Sequence, residues 1–257
     1  MFSKIAFKGL SKNKEFGYAA KLDFFKKNKK IEFKPGLNII YAPNGTGKST
    51  ILSMMALSMA CKQSGESIVT QKWNSMFGFE NLDGIEVFHD GQPAMYCNPR
   101  EAVGLIGGSA AFDDDFMSEG IAELRLSEST GKTTLYRMNK IVGVLMGNDK
   151  IADEVKLKNV SRQYLKEDRA KLLEARISVG QKSILLDEPE SGLAVPVQQR
   201  LFALLDKAAK EQDLQIIVAT HSVFALGCDA NFIELEPEYV VSAKASVMYL
   251  LSTMLGK

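Results

Sequence analysis

The run Ala42-Pro43-Asn44-Gly45-Thr46-Gly47-Lys48-Ser49-Thr50 sets glycines, hydroxyls and a lysine in an order suited to holding an anion. Glycines at 45 and 47 let the backbone curl so that successive N–H groups face one centre, and a helix opening directly afterwards adds its partial positive charge there. In that arrangement Asn44, Gly45, Thr46, Gly47, Lys48, Ser49 and Thr50 form a phosphate cradle. Lys48 neutralises the terminal phosphates, and the Ser49 hydroxyl is placed to ligate Mg2+. Ala42 stands where the strict pattern has its first glycine, a position that asks for a small side chain more than an unusual dihedral. The alternative is a purely structural Gly-rich turn, and the strand-loop-helix pattern around it weighs against that.

A second constellation is Ile184-Leu185-Leu186-Asp187-Glu188-Pro189-Glu190, an apolar run that ends in adjacent carboxylates. Alternation along a strand sends the two side chains different ways. Asp187 can then support a metal while Glu188 orients an attacking water and takes its proton. A pair of surface acids is the bland alternative, but charges at the end of a buried strand need a compensating cation. A third run, Gln215-Ile216-Ile217-Val218-Ala219-Thr220, ends in His221 and Ser222. A lone histidine is commonly a surface or satisfied core residue. At the carboxyl end of a strand in an open α/β sheet it stands where ligands collect, and there it could donate to a terminal phosphate or polarise the water.

These groups need elements to hold them. The pattern predicts short N-terminal strands near 5–7, 20–25 and 31–33, with the lysine-rich 26–30 as a hairpin tip. It then predicts a buried strand over Leu37–Tyr41 and a helix over 49–61. Residues 85–88 and 94–96 flank Asp90-Gly91 and read as a hairpin. A strand is expected near 124–126, a helix over 133–145 and a charged helical stretch over 149–176. After these come a strand at Ser183–Asp187, a helix over 196–210, a strand at Gln215–Thr220 and a closing helix over 243–255. Strand–helix alternation around a phosphate loop implies an α/β fold with a mainly parallel core sheet. The whole chain reads as one domain, 1–257, with an antiparallel N-terminal β layer and a helical and hairpin insertion across 62–176.

Composition narrows the classes. The chain has 257 residues, 46% hydrophobic and 25% charged, with 32 Lys+Arg against 31 Asp+Glu, which excludes a disordered or fibrous chain. Cys61, Cys97 and Cys228 lack metal-ligand spacing. With no signal peptide pattern they point to a reducing, cytoplasmic setting, and the apolar stretch after Met54 is too short to enter a membrane. Ten lysines fall in residues 1–34 against Glu15, Asp23 and Glu32. Such a basic stretch could meet nucleic acid, or could be a solvated hairpin face.

With these segments in hand, the chain resembles the ABC-type ATPases, and more narrowly the stand-alone AAA family ATPases related to the SMC-like and OLD-like groups. The matching text is Phe33-Lys34-Pro35-Gly36-Leu37-Asn38 into the phosphate loop, Leu185 through Leu193, and Gln215 through Ser222. The resemblance implies a P-loop NTPase fold, ATP and Mg2+ as cofactors, and an ATP-dependent homodimer in which a signature loop of one copy completes the nucleotide site of the other. Two segments compete for that signature. Ile177-Ser178-Val179-Gly180-Gln181 matches the letters better, but the Asp187 strand follows too closely for a helix. Ser129-Thr130-Gly131-Lys132 has an amphipathic run directly after it, which favours Ser129 and Gly131 as nucleotide contacts. Ala194 follows Ser191-Gly192-Leu193 where family members often carry an acid or His. Gln63, Gln71 and Gln92 all remain open as the glutamine that senses the terminal phosphate, and Tyr18 or Phe24 as the adenine-stacking ring.

Catalysis is thus expected to rest on Glu188, His221 and Lys48, and metal binding on Ser49 and Asp187. The expected function is a soluble ATP-hydrolysing switch working with a protein partner, in DNA repair or phage defence. The nucleotide-binding subunit of a membrane transporter and a non-hydrolysing binding module are the alternatives.

Overall fold

The computed structural model describes residues 1–14, 16–58, 62–63, 66–67, 83–90, 94–98, 142–143, 145–146, 183–212 and 214–256. Among the described residues, strands β1 to β10 form two sheets. The larger has the order β10(Asn231–Glu234), β3(Leu37–Tyr41), β9(Gln215–Thr220), β8(Ser183–Asp187), β7(Ala94–Cys97), β4(Lys62–Gln63) and β5(Glu66–Ser67). Every neighbouring pair in it is parallel except the antiparallel edge pair of β4 and β5. The smaller sheet is antiparallel, with β1(Phe2–Phe7) between β2(Lys30–Glu32) and β6(Ile85–His89).

Every residue of β3, β8 and β9 is buried. These strands are covered on both faces, which is why their sequences are continuous apolar runs rather than alternations. A short helix, α1(Asp23–Lys27), precedes β2. On one face of the sheet Ile40, Leu185 and Ile217 pack with Ile51, Leu52 and Met55 of α2(Lys48–Ser58). On the other, Ile39, Leu186 and Val218 meet Leu201, Phe202 and Leu205 of α3, the helix Val195–Glu211. The last helix, α4, spans Tyr239–Met254 and docks through Val240.

Two buried amides tie the layers together. Gln215 donates to the Phe2 and Lys34 carbonyls at 2.8 and 2.9 Å and accepts the Phe2 N–H at 2.6 Å, fastening β1 to the start of β9. Asn38 accepts from Lys34 N–H and from the Asn231 amide, closing the turn that Gly36 makes at φ +77°. Because β3, β8 and β9 run in register, with Tyr41 opposite Thr220 and Asp187 opposite Ala219, their carboxyl ends emerge at one level.

The structure departs from the sequence expectations at three places. Residues 20–25 are not a strand: a 3-10 turn over Gly17–Lys21 leads into α1, so Lys26 and Lys27 end a helix instead of tipping a hairpin. The 85–88 and 94–96 runs do not form a hairpin. β6 joins the antiparallel sheet beside β1, while β7 joins the parallel sheet beside β8. Asp90-Gly91 has the letters of a tight turn, but the flanking strands pair instead with β1 and β8, partners remote from them in sequence. The closing helix starts at Tyr239, ahead of the expected start at Ala243. Of the 133–145 helix and its end, Val142, Gly143, Leu145 and Met146 are described, and Leu145 is buried in the α3-side core. The expected elements at 124–126 and 149–176 lie outside the described residues.

Candidate functional site

The loop between β3 and α2 has the glycine geometry that the sequence suggests. Gly45 and Gly47 sit at φ +77° and +106°, where a β-carbon is strained. A β-carbon on Gly47 would also meet Phe25 at 2.7 Å, so both dihedral and packing require glycine there. Thr46 donates to the Pro43 carbonyl at 2.8 Å, and Ile51 N–H bonds the Gly47 carbonyl as the helix starts. The Lys48 ammonium is buried and donates to the Ala42 and Pro43 carbonyls at 2.8 and 2.9 Å, spanning the loop from its helix side. Thr50 shares a 2.8 Å hydrogen bond with the Tyr18 hydroxyl. That places Tyr18 on the first turn of α2, in a structural contact.

Asp187 ends β8 directly across from this turn. Ser49 Oγ donates to Asp187 Oδ1 at 3.0 Å, joining residues 138 positions apart. The other carboxylate oxygen accepts from the Tyr96 hydroxyl at 3.3 Å and from the Asn98 amide at 3.1 Å. Burial pushes the Asp187 carboxyl up to about 6, and the Glu188 charge adds to this; the bonds from Ser49 and Tyr96 and the Lys48 charge act the other way. A carboxylate that its surroundings disfavour as an anion is one that a cation relieves. The hydroxyl–carboxylate pair is a hard-oxygen donor set of the kind Mg2+ takes when phosphates complete its shell. Tyr96 and Asn98 escape a reading of the sequence, because β7 resembles a hairpin arm and an Asn-Pro pair reads as a turn.

Glu188 leaves β8 in the left-handed region at φ +46°, its N–H held by the Ala219 carbonyl at 2.8 Å. That bend turns its side chain away from Asp187 toward the next strand end, where His221 Nδ1 lies 3.4 Å from Glu188 Oε1. The histidine backbone is clamped from two sides. Tyr41 donates its hydroxyl to the His221 carbonyl at 3.3 Å, and Ser222 N–H bonds Thr220 Oγ1 at 2.9 Å. Since Thr220 accepts that N–H, its own proton goes to Glu190 Oε1 at 2.5 Å. Glu190 is buried, and burial raises its carboxyl pKa despite the Thr220 bond. Its Oε2 has no hydrogen-bond partner among the described residues. The Glu190–Thr220–Ser222 chain links the turn after β8 to the loop after β9. Sequence reasoning misses it, since a third acid behind a proline carries no pattern of its own.

Beside the loop lies a cavity of about 540 Å3 lined by Phe24, Asn28, Gly45, Thr46, Glu234 and Glu236 among others. Phe24 therefore reaches the space next to the phosphate loop, whereas Tyr18 does not line it. Ser129 and Gly131, the competing Ser178 and Gly180, and Gln71 and Gln92 lie outside the described residues. Gln63 is described only as part of β4, between β7 and the edge strand β5. Ser191 and Leu193 close tight turns onto the Glu188 and Glu190 carbonyls, with Gly192 at φ +79°. No helix among the described residues is long and apolar enough to cross a membrane.

A family model described as an AAA domain matches residues 22–217. In sequence the chain is similar to the ribose import ATP-binding protein RbsA of Bacillus cereus, with 26% identity over 172 residues. That match covers 62% of this chain and 34% of the relative, so the chain spans about a third of the length of the curated relatives it matches. In structure it is similar to the ATP-binding cassette MJ0796 bound to ADP and Pi (TM-score 0.43, 18% identity, covering 90% of this chain and 94% of that one). It is also similar to the SMC head domain from Thermotoga maritima (TM-score 0.37, 16% identity, 91% and 94% coverage).

Proposed function

The chain belongs to the AAA domain family, and from that premise we propose that it binds ATP with Mg2+ and hydrolyses it, dimerising on the nucleotide as a switch read by a protein partner. The observation that carries this reading is the 3.0 Å contact between Ser49 and Asp187, which brings the phosphate loop and the acidic strand end to one point.

The residues divide the work. The loop N–H groups and Lys48 hold the β- and γ-phosphates, and the cavity behind Gly45 and Thr46 takes the nucleoside, with Phe24 as its stacking ring. Ser49 and Asp187 hold the metal, with Asn98 and Tyr96 fixing the carboxylate. Bound there, Mg2+ would neutralise charge on the phosphate oxygens. Glu188 accepts a proton from the water that attacks the γ-phosphorus in line, and His221 orients that water and the γ-phosphate. Completion of the site by the 129–132 or 177–181 segment of a second copy, and the extent of an inserted subdomain over 62–176, belong to the same reading. So do a cytoplasmic setting and a role in DNA repair or phage defence.

The test is direct. The purified chain should release phosphate from ATP in the presence of Mg2+ and stop on chelation. ATP that binds with Mg2+ but is never cleaved would reduce the protein to a binding module. The similarity to RbsA favours one second reading, a nucleotide-binding subunit of an importer. Co-purification with a membrane permease would select it.

A further inference from the structure

We propose that the exposed end of α4 and the groove beside it form a self-association surface that pairs two copies of this chain without nucleotide. Among the described residues, α4 is anchored near its start, through Tyr239, Val240 and Ala243. From Met248 onward its large apolar side chains project from every side of the helix: Met248, Tyr249, Leu250, Leu251, Met254 and Leu255 are all exposed, from 47% to 75%. A helix that is apolar all round is a buried helix in a stable assembly. Six large apolar residues exposed within eight positions form one patch, of the kind that marks an interaction surface rather than apolar residues scattered singly.

Three observations select a second copy as the occupant. First, residues 245–256 contain no charged side chain, so two such helices meet without like charges facing each other. Second, the serine and threonine hydroxyls of these turns are spent internally: Ser252 and Thr253 both donate to the Tyr249 carbonyl, at 2.7 and 3.0 Å, and Ser246 donates to the Ser242 carbonyl at 3.0 Å. The surface asks for an apolar partner rather than a phosphate backbone. Third, the receiving surface is on the same chain. A groove of about 650 Å3 opens where α3, the 3-10 turn Val223–Gly227 and α4 meet, lined by Phe202, Ala203, Phe224, Leu226, Val247 and Met248 among others. Knob and groove share Met248. A two-fold axis passing near it seats the projecting turns of each copy in the groove of the other, which is the self-complementarity an isologous dimer requires. Lys244 and Asp206, the latter bridged to Lys210 at 3.1 Å, line the groove from different helices, so its rim carries both signs and a second copy brings the complementary pair.

The surface lies on α4, while the nucleotide-dependent contact would form over the loop after β3; the two are distinguishable. Light scattering of the full chain, chromatographed without nucleotide, should show a dimer. The companion Lys48→Ala, which removes the phosphate-loop cation, should leave that dimer intact. Leu250→Glu with Met254→Glu, both at exposed positions, should raise the dimer dissociation constant at least ~100-fold, as expected for central anchors, while ATP binding stays within about twofold. A wild-type chain that is monomeric at high concentration without nucleotide overturns the proposal. So does a dimer that survives the double glutamate variant. Sedimentation of the wild type with vesicles of phosphatidylcholine and phosphatidylglycerol, lost in that variant, would overturn it in favour of a lipid surface.

Discussion

The two sheets handle polar groups in opposite ways. In the parallel sheet β3, β8 and β9 are buried along their whole length, and their reactive side chains Asp187, Thr220 and the following Glu188, Glu190 and His221 cluster at or just beyond the strand ends. In the antiparallel sheet burial alternates along β2 and, beyond the register shift after Phe2, along β1, and charge is spread over the open side. There Lys4 lies over the Phe88 ring at 4.1 Å, Lys8 pairs with Glu86 at 2.8 Å and Lys30 with Glu32 at 2.5 Å. A strand covered on both faces has no place for a chemical group except its end, and aligned parallel ends bring several such groups together. A strand open on one face disperses its charges into separate, solvated pairs worth little each. The lysine-rich start of the chain reads as that second case.

The contrast can be tested from its strong end to its weak one. Lys48→Ala should abolish tight ATP binding in calorimetry; retained affinity would mean the β3 end is not the phosphate site. Glu188→Gln should keep ATP binding, slow phosphate release at least ~100-fold through loss of the base, and, combined with Leu250→Glu and Met254→Glu so that the α4 surface is removed, accumulate dimers only when nucleotide is bound. Unchanged turnover would move the base elsewhere. Asp187→Asn probes the electrostatic cost of the buried end without metal or nucleotide. The fold holds this carboxyl raised from 3.8 to about 6, so it favours the protonated form. The stability that protonation provides is complete below the unfolded value and is lost as pH rises through about 6. Chemical denaturation should therefore show the variant gaining on the wild type across that window, by up to roughly 3 kcal/mol. A gap independent of pH would contradict the assignment.

Thr220→Val removes the hydroxyl between Ser222 and Glu190 while keeping the side-chain shape. We expect kcat to fall about tenfold with KM little changed, in the range typical for loosening a catalytic group, and Thr220→Ser to restore it. A parallel rise in KM would point to damage at the nucleotide site instead. The smallest effect belongs to the antiparallel sheet. Lys8→Glu and Lys30→Glu should each change stability by less than about 0.5 kcal/mol and leave ATPase activity unaltered. If either abolished retention of DNA on a filter at low salt, the open face would have a function that its dispersed pairing does not suggest.

Local patterns carried the fold as far as local causes reach. The apolar runs Leu37–Tyr41, Ser183–Asp187 and Gln215–Thr220 are each strands with the bounds their composition suggests. The helix after the loop starts at Lys48, one residue before the pattern placed it. Patterns misled where two outcomes share one local signal. Residues 20–25 have strand-like residues, yet Phe25 is held against Phe7 at 4.9 Å and beside Gly47, a contact no local rule contains. The 85–97 region has a turn signal, yet its arms pair with β1 and β8, distant in sequence.

By itself the sequence determined which side chains are available for phosphate and metal chemistry, because glycine dihedrals, a lysine at a helix start and acids ending an apolar run are local requirements. Tertiary structure alone decided which of them meet. Ser49 reaches Asp187, Tyr96 and Asn98 brace that carboxylate, and Glu190 holds Thr220, because parallel strands are joined by long crossovers and become neighbours only when the sheet assembles. Their order depends on which apolar faces bury each other best, a property of the whole chain that no short window of residues contains.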